Sequence, residues 1–460
     1  MLPAGCPTLL CVAVPLIGAQ LTDVSPAMST WPSAIRRGAI MAALLAIGTV
    51  TGNFDAGIAA TTGALNIALM DAAVPRAVLA RALWLCVGTT TVVGFLAVIV
   101  GDSWWLIPFL AVLAFLQGAL AGAGLAVANA TIASMITAIL FSVVPGSFQD
   151  AAQLAGWLLL GALIEVTVAL LAWRWERQGL VRRQVGMALA ARAAGDPAAV
   201  VQRWVEAART TMGTAELTPA ERVAFDRLLT AVSDDRPAAA DDLATAGRRV
   251  RRLPTRGHPA GRFGELVTAL NCAPAVIDRP TCDSLRRQLG QLRGFLTPGT
   301  ATFSAGVRLG VLMTVGALLV QLFEIPQGHW VLLVFTLAIR ADYSGTMTVL
   351  LARALGVVAG VAAISAVVAV TGGSAPALVA LAFVAAVMTC RWLLGNATLF
   401  FLWLTIFVSI LVDIAAPDSS VGWQRVIATL IGVAIGVVGS LVWPGWRTST
   451  GSQVPVTEPR

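Results

Sequence analysis

The pentapeptide Leu79-Ala80-Arg81-Ala82-Leu83 occurs a second time, without change, at residues 351–355. The same offset of 272 residues relates five further pairs: Arg36 and Arg308, Gly38 and Gly310, Met41 and Met313, Gly88 and Gly360, and Pro145 and Pro417. A shared apolar composition would not align the arginines. The sequence therefore predicts two copies of one structural unit.

The composition predicts that both copies lie in a membrane. The chain of 460 residues is 57% hydrophobic and 12% charged, with a mean hydropathy of +0.82, whereas soluble domains are typically about 25% charged. Residues 175–300 contain 19 arginines and 13 acidic residues, and so carry nearly all of the formal net charge of +7. We therefore expect a soluble insert between two membrane parts, and we do not interpret the net charge as a sign of nucleic-acid binding.

Uncharged stretches are the candidate spans, since a helix needs roughly 20 apolar residues to cross a bilayer. The first half contains residues 38–54, 56–70, 82–101, the run 103–149 with a turn near 118–124, and 151–173. The second half contains 309–323, 325–339, 354–390 with a break at 372–376, 392–412 and 426–446. This predicts six spans per half, about twelve in all, although the second span of each half is short and could be re-entrant. An even number per half predicts parallel repeats.

The distribution of charge around the spans predicts their orientation. One side has the arginines at positions 36, 37, 76, 81, 174, 177, 308, 340, 353, 391 and 447, and the other has Asp55, Asp102, Asp150, Glu324, Asp413 and Asp418, with Arg425 as an exception. The positive-inside rule then places both termini and the insert in the cytoplasm. The predicted domains are a lead of residues 1–33, with Met28 as a hypothetical functional start, a first membrane repeat (34–174), a cytoplasmic helical domain (175–303), a second membrane repeat (304–447) and a disordered tail (448–460).

Charged residues in or near the spans are the candidate transport residues, because a charge at the centre of a span costs about 3 kcal/mol on insertion scales. Glu165 lies inside the sixth span and is a candidate proton carrier; the alternative is a neutral glutamic acid that only packs. Arg81 and Arg353 lie at equivalent inner ends of the third spans. They could attract an anion at the cytoplasmic mouth, or they could only anchor the helices by snorkelling.

A second group of candidates surrounds the same mouth in the second half. It consists of Arg340, Asp342 and Arg391, of which Asp342 could instead form a structural ion pair. His329 and Trp330, at the outer start of the short span, could line a path or titrate, or could simply pack. The six cysteines and two histidines show no metal-ligand spacing, and there is no Walker motif or Ser/His/Asp set. We therefore expect no enzymatic activity, no cofactor and no metal.

Three motifs in the second half resemble the signature of the fusaric-acid-resistance-like family, which includes aromatic acid exporters and is distantly similar to plant aluminium-activated malate channels. They are His329-Trp330-Val331-Leu332-Leu333, Arg340-Ala341-Asp342-Tyr343-Ser344-Gly345-Thr346 and Arg353-Ala354-Leu355-Gly356-Val357-Val358-Ala359-Gly360. Two sets of six spans around a cytoplasmic helical domain also fit the resemblance. The first copy departs from the signature, with Trp84 at the position of Gly356.

The resemblance implies a multi-pass inner-membrane secondary transporter that exports small organic acids, aromatic acids in particular, and that uses the proton gradient. Two alternatives are a passive channel for organic anions and a non-transporting scaffold that acts through its cytoplasmic helices. The expected partners are the lipid bilayer and an organic anion, with a homo-oligomer left open and nucleic acid excluded. The residues assigned to the anion are Arg81, Arg353, Arg391, Arg340, Asp342 and Trp330, and those assigned to the proton are Glu165 and His329.

Overall fold

The protein is helical throughout the part of the chain that the computed structural model describes. That part comprises residues 29–70, 76–101, 103–123, 125–215, 217, 219–233, 245–246, 248, 250, 296–298, 300–338, 343–372, 374–393, 395–415 and 421–442. Within these ranges no strand occurs. The predicted tail at 448–460 and residues 1–28 of the predicted lead lie outside them.

The helices whose bounds the structure describes fall into two sets of six, with two helices of the insert between them. The first set is α1 (Trp31–Thr51), α2 (Phe54–Ala68), α3 (Arg76–Val100), α4 (Leu106–Ala119), α5 (Leu125–Phe141) and α6 (Phe148–Ala193). The insert contributes α7 (Ala198–Thr214) and α8 (Pro219–Ser233). The second set is α9 (Ala301–Leu322), α10 (His329–Ala338), α11 (Tyr343–Thr371), α12 (Ala375–Trp392), α13 (Ala397–Ala415) and α14 (Val421–Val442).

Six of the described helices have the length and hydropathy of membrane spans. The spans are Trp31–Thr51, Arg76–Val100, Phe148–Trp173, Thr302–Leu322, Gly345–Thr371 and Trp423–Val442. Helices α4, α5, α12 and α13 are apolar but shorter, and α2 and α10 have only 15 and 10 residues. The protein is therefore a multi-pass membrane protein that is all-α in its described residues, while a total of twelve crossings stays a prediction.

Both predicted breaks within long apolar runs are confirmed. Helix α4 ends at Ala119, and a short 3₁₀ turn over Leu120–Gly122 precedes α5. Helix α11 ends at Thr371, and Gly372 then adopts a φ of 64°, which a glycine reaches without steric cost. A proline in the first turn of α12 follows, where its missing N–H costs nothing.

Helix α6 is much longer than the span predicted for it. A capping box of Ser147 and Asp150 starts the helix, which then continues for 46 residues to Ala193, about 69 Å at 1.5 Å per residue. The predicted domain boundary between residues 174 and 175 therefore falls inside a continuous helix. We call the end of the bundle from which α6 projects the insert end.

The projecting part of α6 forms a small core with α7 and α8. Its apolar side chains include Val181, Val185, Leu189, Trp204, Val205, Phe225 and Leu228. A salt bridge of 3.7 Å between Arg182 and Glu221 also joins α6 to α8. The insert thus begins as a three-helix unit fixed directly to a membrane helix.

The two sets of six helices have the same packing pattern. In the first set, α1 packs on α2 and α6, α2 on α3 and α6, α3 on α5 and α6, and α4 on α5. In the second set, α9 packs on α10 and α14, α10 on α11 and α14, α11 on α13 and α14, and α12 on α13. Between the sets, α4 packs on α9 and α1 on α12, while α5 meets α10 and α2 meets α13.

Candidate anion-binding site

Arginines dominate the charged side chains buried among the described membrane helices. The second set buries Arg308 on α9, Arg353 on α11, Arg391 on α12 and Arg425 on α14. Its described residues include no buried carboxylate to accompany them. Because opposite charges attract strongly in a medium of low dielectric constant, a buried guanidinium group favours a neighbouring anion over a cation.

Arg353 has the environment of an anion-binding group. It is 4% exposed, and its guanidinium carbon lies 5.2 Å from the centroid of the Phe401 ring. Neither Nε nor Nη1 of Arg353 forms a hydrogen bond within the described part of the chain. Since leaving a buried charge without a partner is costly, an anion that reached this guanidinium would be bound favourably. A planar aromatic acid would also contact Phe401.

Two glycines explain why Arg353 is covered. Gly356 and Gly360 follow it at spacings of three and seven residues, and so lie on the same face of α11. A Cβ atom on Gly356 would lie 2.7 Å from the Thr398 carbonyl oxygen, and one on Gly360 would lie 2.8 Å from the Leu402 carbonyl oxygen. The absence of side chains at these positions lets α13 approach the α11 backbone and bury Arg353.

Arg353 lies within a continuous apolar helix. The candidate span begins at Gly345 rather than near Ala354, so Arg353 is eight residues inside it, about 12 Å along the helix axis. Arg81 likewise lies five residues inside the candidate span Arg76–Val100. The position of both arginines at the inner ends of their spans stays a prediction.

Arg81, the counterpart of Arg353 in the first copy, has a different environment. Arg81 is exposed, Trp84 is 55% exposed, and a Cβ atom on Gly88 would meet nothing within 4 Å. Trp84 stands where the second copy has Gly356, and this face of α3 is exposed. The repeat of the arginine in sequence thus does not produce a repeated site.

Glu165 belongs to a network of two arginines and two carboxylates at the insert end. Glu165 is 1% exposed, and its Oε1 accepts a hydrogen bond of 2.8 Å from Arg36 Nη1. Arg36 Nε donates to Glu176 Oε1 at 2.6 Å, and Arg37 Nη2 lies 3.5 Å from Glu176 Oε2. The four formal charges cancel. The sequence analysis identified Glu165 as a candidate but did not predict its ion pair with Arg36. The single acidic residue inside one span and the arginines at the start of another could have indicated this pair.

His329 and Trp330 lie together with Arg425, which the sequence showed only as an exception to the charge pattern. The Arg425 guanidinium carbon is 3.7 Å from the centroid of the buried Trp330 ring. Arg425 Nη1 donates to Ser409 Oγ at 3.0 Å and to the Thr405 carbonyl oxygen at 3.3 Å. The predicted pair of residues at the start of α10 is therefore part of a second buried cationic site.

Arg391, the other described arginine assigned to the anion in the second half, lies away from Arg353. Arg391 lines a cleft at the insert end, in which Arg353 does not take part. Arg340 and Asp342 lie outside the described residues. In the described ranges, no group of three His, Cys, Asp or Glu side chains could hold a metal ion.

The described helices thus form a multi-pass membrane bundle with buried arginines. Residues 314–439 match the family model described as fusaric acid resistance protein-like. The second half of the chain is therefore similar to that family, which confirms the resemblance predicted from its motifs. This stretch contains Arg353, Arg391 and Arg425.

The chain is also similar to inner membrane protein YccS of Escherichia coli (strain K12). The two are 27% identical over 160 residues, which are 34% of this chain and 22% of YccS. The matching region thus spans about a fifth of the length of that relative. No solved structure matches the chain.

Proposed function

We propose that this protein is an inner-membrane secondary transporter that exports small organic acids, aromatic acids in particular. Two comparisons support this proposal. The matching family model is described as fusaric acid resistance protein-like, and the E. coli relative is called an inner membrane protein. The observation that carries the proposal is Arg353, a buried guanidinium beside Phe401 with two nitrogen atoms that lack partners within the described part of the chain. It offers a carboxylate charge-assisted hydrogen bonds and an aromatic ring a stacking surface.

We further propose that the membrane part consists of two parallel six-helix repeats with about twelve crossings and with the insert and both termini in the cytoplasm. The reciprocal packing of the helices supports this proposal, because the contact of α4 with α9 has its counterpart in the contact of α12 with α1. The short helices α2 and α10 correspond to each other and pack on the corresponding helices α6 and α14.

Proton coupling is the third part of the proposal, with Glu165 and His329 as the proton-carrying groups. A proton crossing the membrane releases about 2.3 kcal/mol per 100 mV, which is enough to drive a modest gradient of an organic acid. The ion pair between Arg36 and Glu165 supports a role for Glu165, because a proton on this carboxylate would change the charge balance of the network. The insert end would then be more positive and would attract anions more strongly.

Flux measurements with the purified protein in liposomes test the proposal. We expect loaded labelled benzoate to leave these vesicles at least 5-fold faster than it leaves protein-free vesicles. External unlabelled benzoate should inhibit this efflux, whereas benzamide, with the same shape but no charge, should not. Equal inhibition by benzamide would contradict a site built on Arg353.

An imposed proton gradient separates the alternatives. Acceleration of benzoate flux by the gradient supports proton coupling, whereas flux that depends only on the benzoate gradient and the membrane potential favours the passive channel. Absence of flux for benzoate and for a panel of other organic acids favours the scaffold and overturns the transport proposal.

A further inference from the structure

Helices α11 and α13 lie side by side and run in the same direction. A Cβ atom on Gly356 would lie 2.7 Å from the Thr398 carbonyl oxygen. A Cβ atom on Gly360, about one turn further along α11, would lie 2.8 Å from the carbonyl oxygen of Leu402, about one turn further along α13. Arg353 precedes Gly356 by about one turn and therefore lies beside the start of α13.

The start of α13 favours an anion. The helix begins at Ala397 and has 19 residues, and the N-terminus of such a helix carries a partial positive charge. Its first turn contains no acidic residue. Asn396 precedes the helix and accepts, through Oδ1, a hydrogen bond of 3.0 Å from the Leu399 N–H, as an N-cap residue does. Arg353 thus lies next to a helix end that carries charge of the same sign.

The hydroxyl of Thr398, in this first turn, is a buried donor without a partner. Thr398 is 3% exposed, and its Oγ1 forms no hydrogen bond within the described part of the chain. Thr389 on α12 is also buried, but its hydroxyl donates at 2.8 Å to the Ala385 carbonyl oxygen, four residues earlier. Thr398 lies too close to the start of its helix to have a helical carbonyl group at that spacing. Because buried polar groups normally have partners, this hydroxyl is available to a ligand.

Thr398, Phe401 and Arg353 lie at the same level of the bundle. Thr398 and Phe401 are three residues apart and so share a face of α13. The centroid of the Phe401 ring lies 5.2 Å from the Arg353 guanidinium carbon. Because side chains on a helix tilt toward its N-terminus, the side chains of Thr398 and Arg353 both extend from the contact at Gly356 toward the start of α13. Two donors that lack partners in the described part of the chain therefore lie at one end of this helix.

We propose that the Thr398 hydroxyl is a second donor to the transported anion, which it binds together with Arg353. One carboxylate oxygen accepts a hydrogen bond from Thr398 Oγ1 and the other accepts one from the Arg353 guanidinium, while the aromatic ring packs on Phe401. Hydrogen bonds to an ionised acceptor are about twice as strong as those between neutral groups. The hydroxyl therefore adds to the preference for an acid over its uncharged amide. The inference rests on the proposed function, which supplies the identity of the anion.

Equilibrium binding of labelled benzoate to the full chain in detergent tests the inference. T398V removes the hydroxyl and nearly keeps the shape, and we expect it to raise the Kd for benzoate about 10-fold, because hydrogen bonds to charged groups are strong. T398S keeps the hydroxyl and should stay within about 3-fold of the wild type. The matched control is T389V, which removes a hydroxyl already bonded to its own helix and should stay within about 2-fold. T398V should unfold at no lower temperature than the wild type, because it loses no hydrogen bond of the free protein.

Four outcomes would overturn the inference. They are no benzoate binding to the wild type, wild-type affinity in T398V, an equal loss of affinity in T398V and T389V, and a lower unfolding midpoint in T398V, which would show that the hydroxyl is already bonded within the protein. If R353Q loses benzoate binding and T398V does not, this inference fails and the proposed function stands. If benzoate binds with the expected order of affinities but does not cross liposome membranes, the transport proposal fails and the role of Thr398 in anion binding stands.

Discussion

Glu165 is a buried carboxylate whose charge is balanced by arginines from another helix. Its partner Arg36 lies 129 positions earlier in the chain and is also bonded to Glu176. The offset of 272 places Val437 at the position equivalent to Glu165, so that the second copy has no carboxylate there. The network is therefore a property of the first copy, and a proton at Glu165 would change the charge of one end of the bundle only.

The variant E165Q tests the role of this carboxylate. Glutamine keeps the shape and can still accept a hydrogen bond from Arg36, but it permanently removes the negative charge, as a proton would. We expect the flux of E165Q to vary less than 2-fold between pH 6 and pH 8, and to match the wild-type flux at acidic pH. The measurement is initial flux of benzenesulfonate, which stays ionised over this range, in liposomes.

The control for this measurement is E206Q, which changes an exposed glutamate on α7 and should keep the wild-type pH profile. An unchanged pH profile in E165Q would show that Glu165 does not carry the coupling proton.

At the scale of the helix, one face of α11 and the equivalent face of α3 have different roles. The motif Arg-x-x-Gly-x-x-x-Gly is complete on α11, and its glycines allow α13 to cover Arg353. On α3, Trp84 interrupts the motif, and the face is exposed. The sequence predicted that these residues share a face, since helical periodicity is local. It could not predict in which copy a neighbouring helix would pack over this face. That packing depends on a helix about 50 residues further along the chain, which is α13 in the second copy.

The substitution of Gly360 and of Gly88 by alanine tests this difference. In G360A the new methyl group would lie 2.8 Å from both the Leu402 carbonyl oxygen and Thr405 Cβ. Such overpacking typically costs about 1–3 kcal/mol, so we expect a lower midpoint of thermal unfolding in detergent. G88A is the matched control at the equivalent repeat position and should be neutral or slightly stabilising, because no atom lies within 4 Å of the new group. Equal destabilisation by the two substitutions would contradict the account of helix packing.

At the scale of the whole molecule, the pattern of apolar runs predicted the order of the helices and the two breaks inside long runs. It did not predict the continuity of α6, because the charge composition changes sharply near residue 174 while the helix continues. The pattern also could not show that Arg391 lines an interfacial cleft rather than the surroundings of Arg353. That distinction depends on contacts between helices far apart in sequence, such as α1 and α12.

The comparison of R353Q with R81Q tests the central claim, that a buried arginine of the second copy binds the transported anion. The two arginines occupy equivalent repeat positions, but only Arg353 is buried. We expect R353Q to lower benzoate flux in liposomes at least 10-fold, because it removes the charge that the carboxylate needs, and we expect R81Q to stay within 2-fold of wild type. Correct folding of each variant is checked by its unfolding midpoint. Wild-type flux in a folded R353Q variant, or an equal loss in R81Q, would contradict the account.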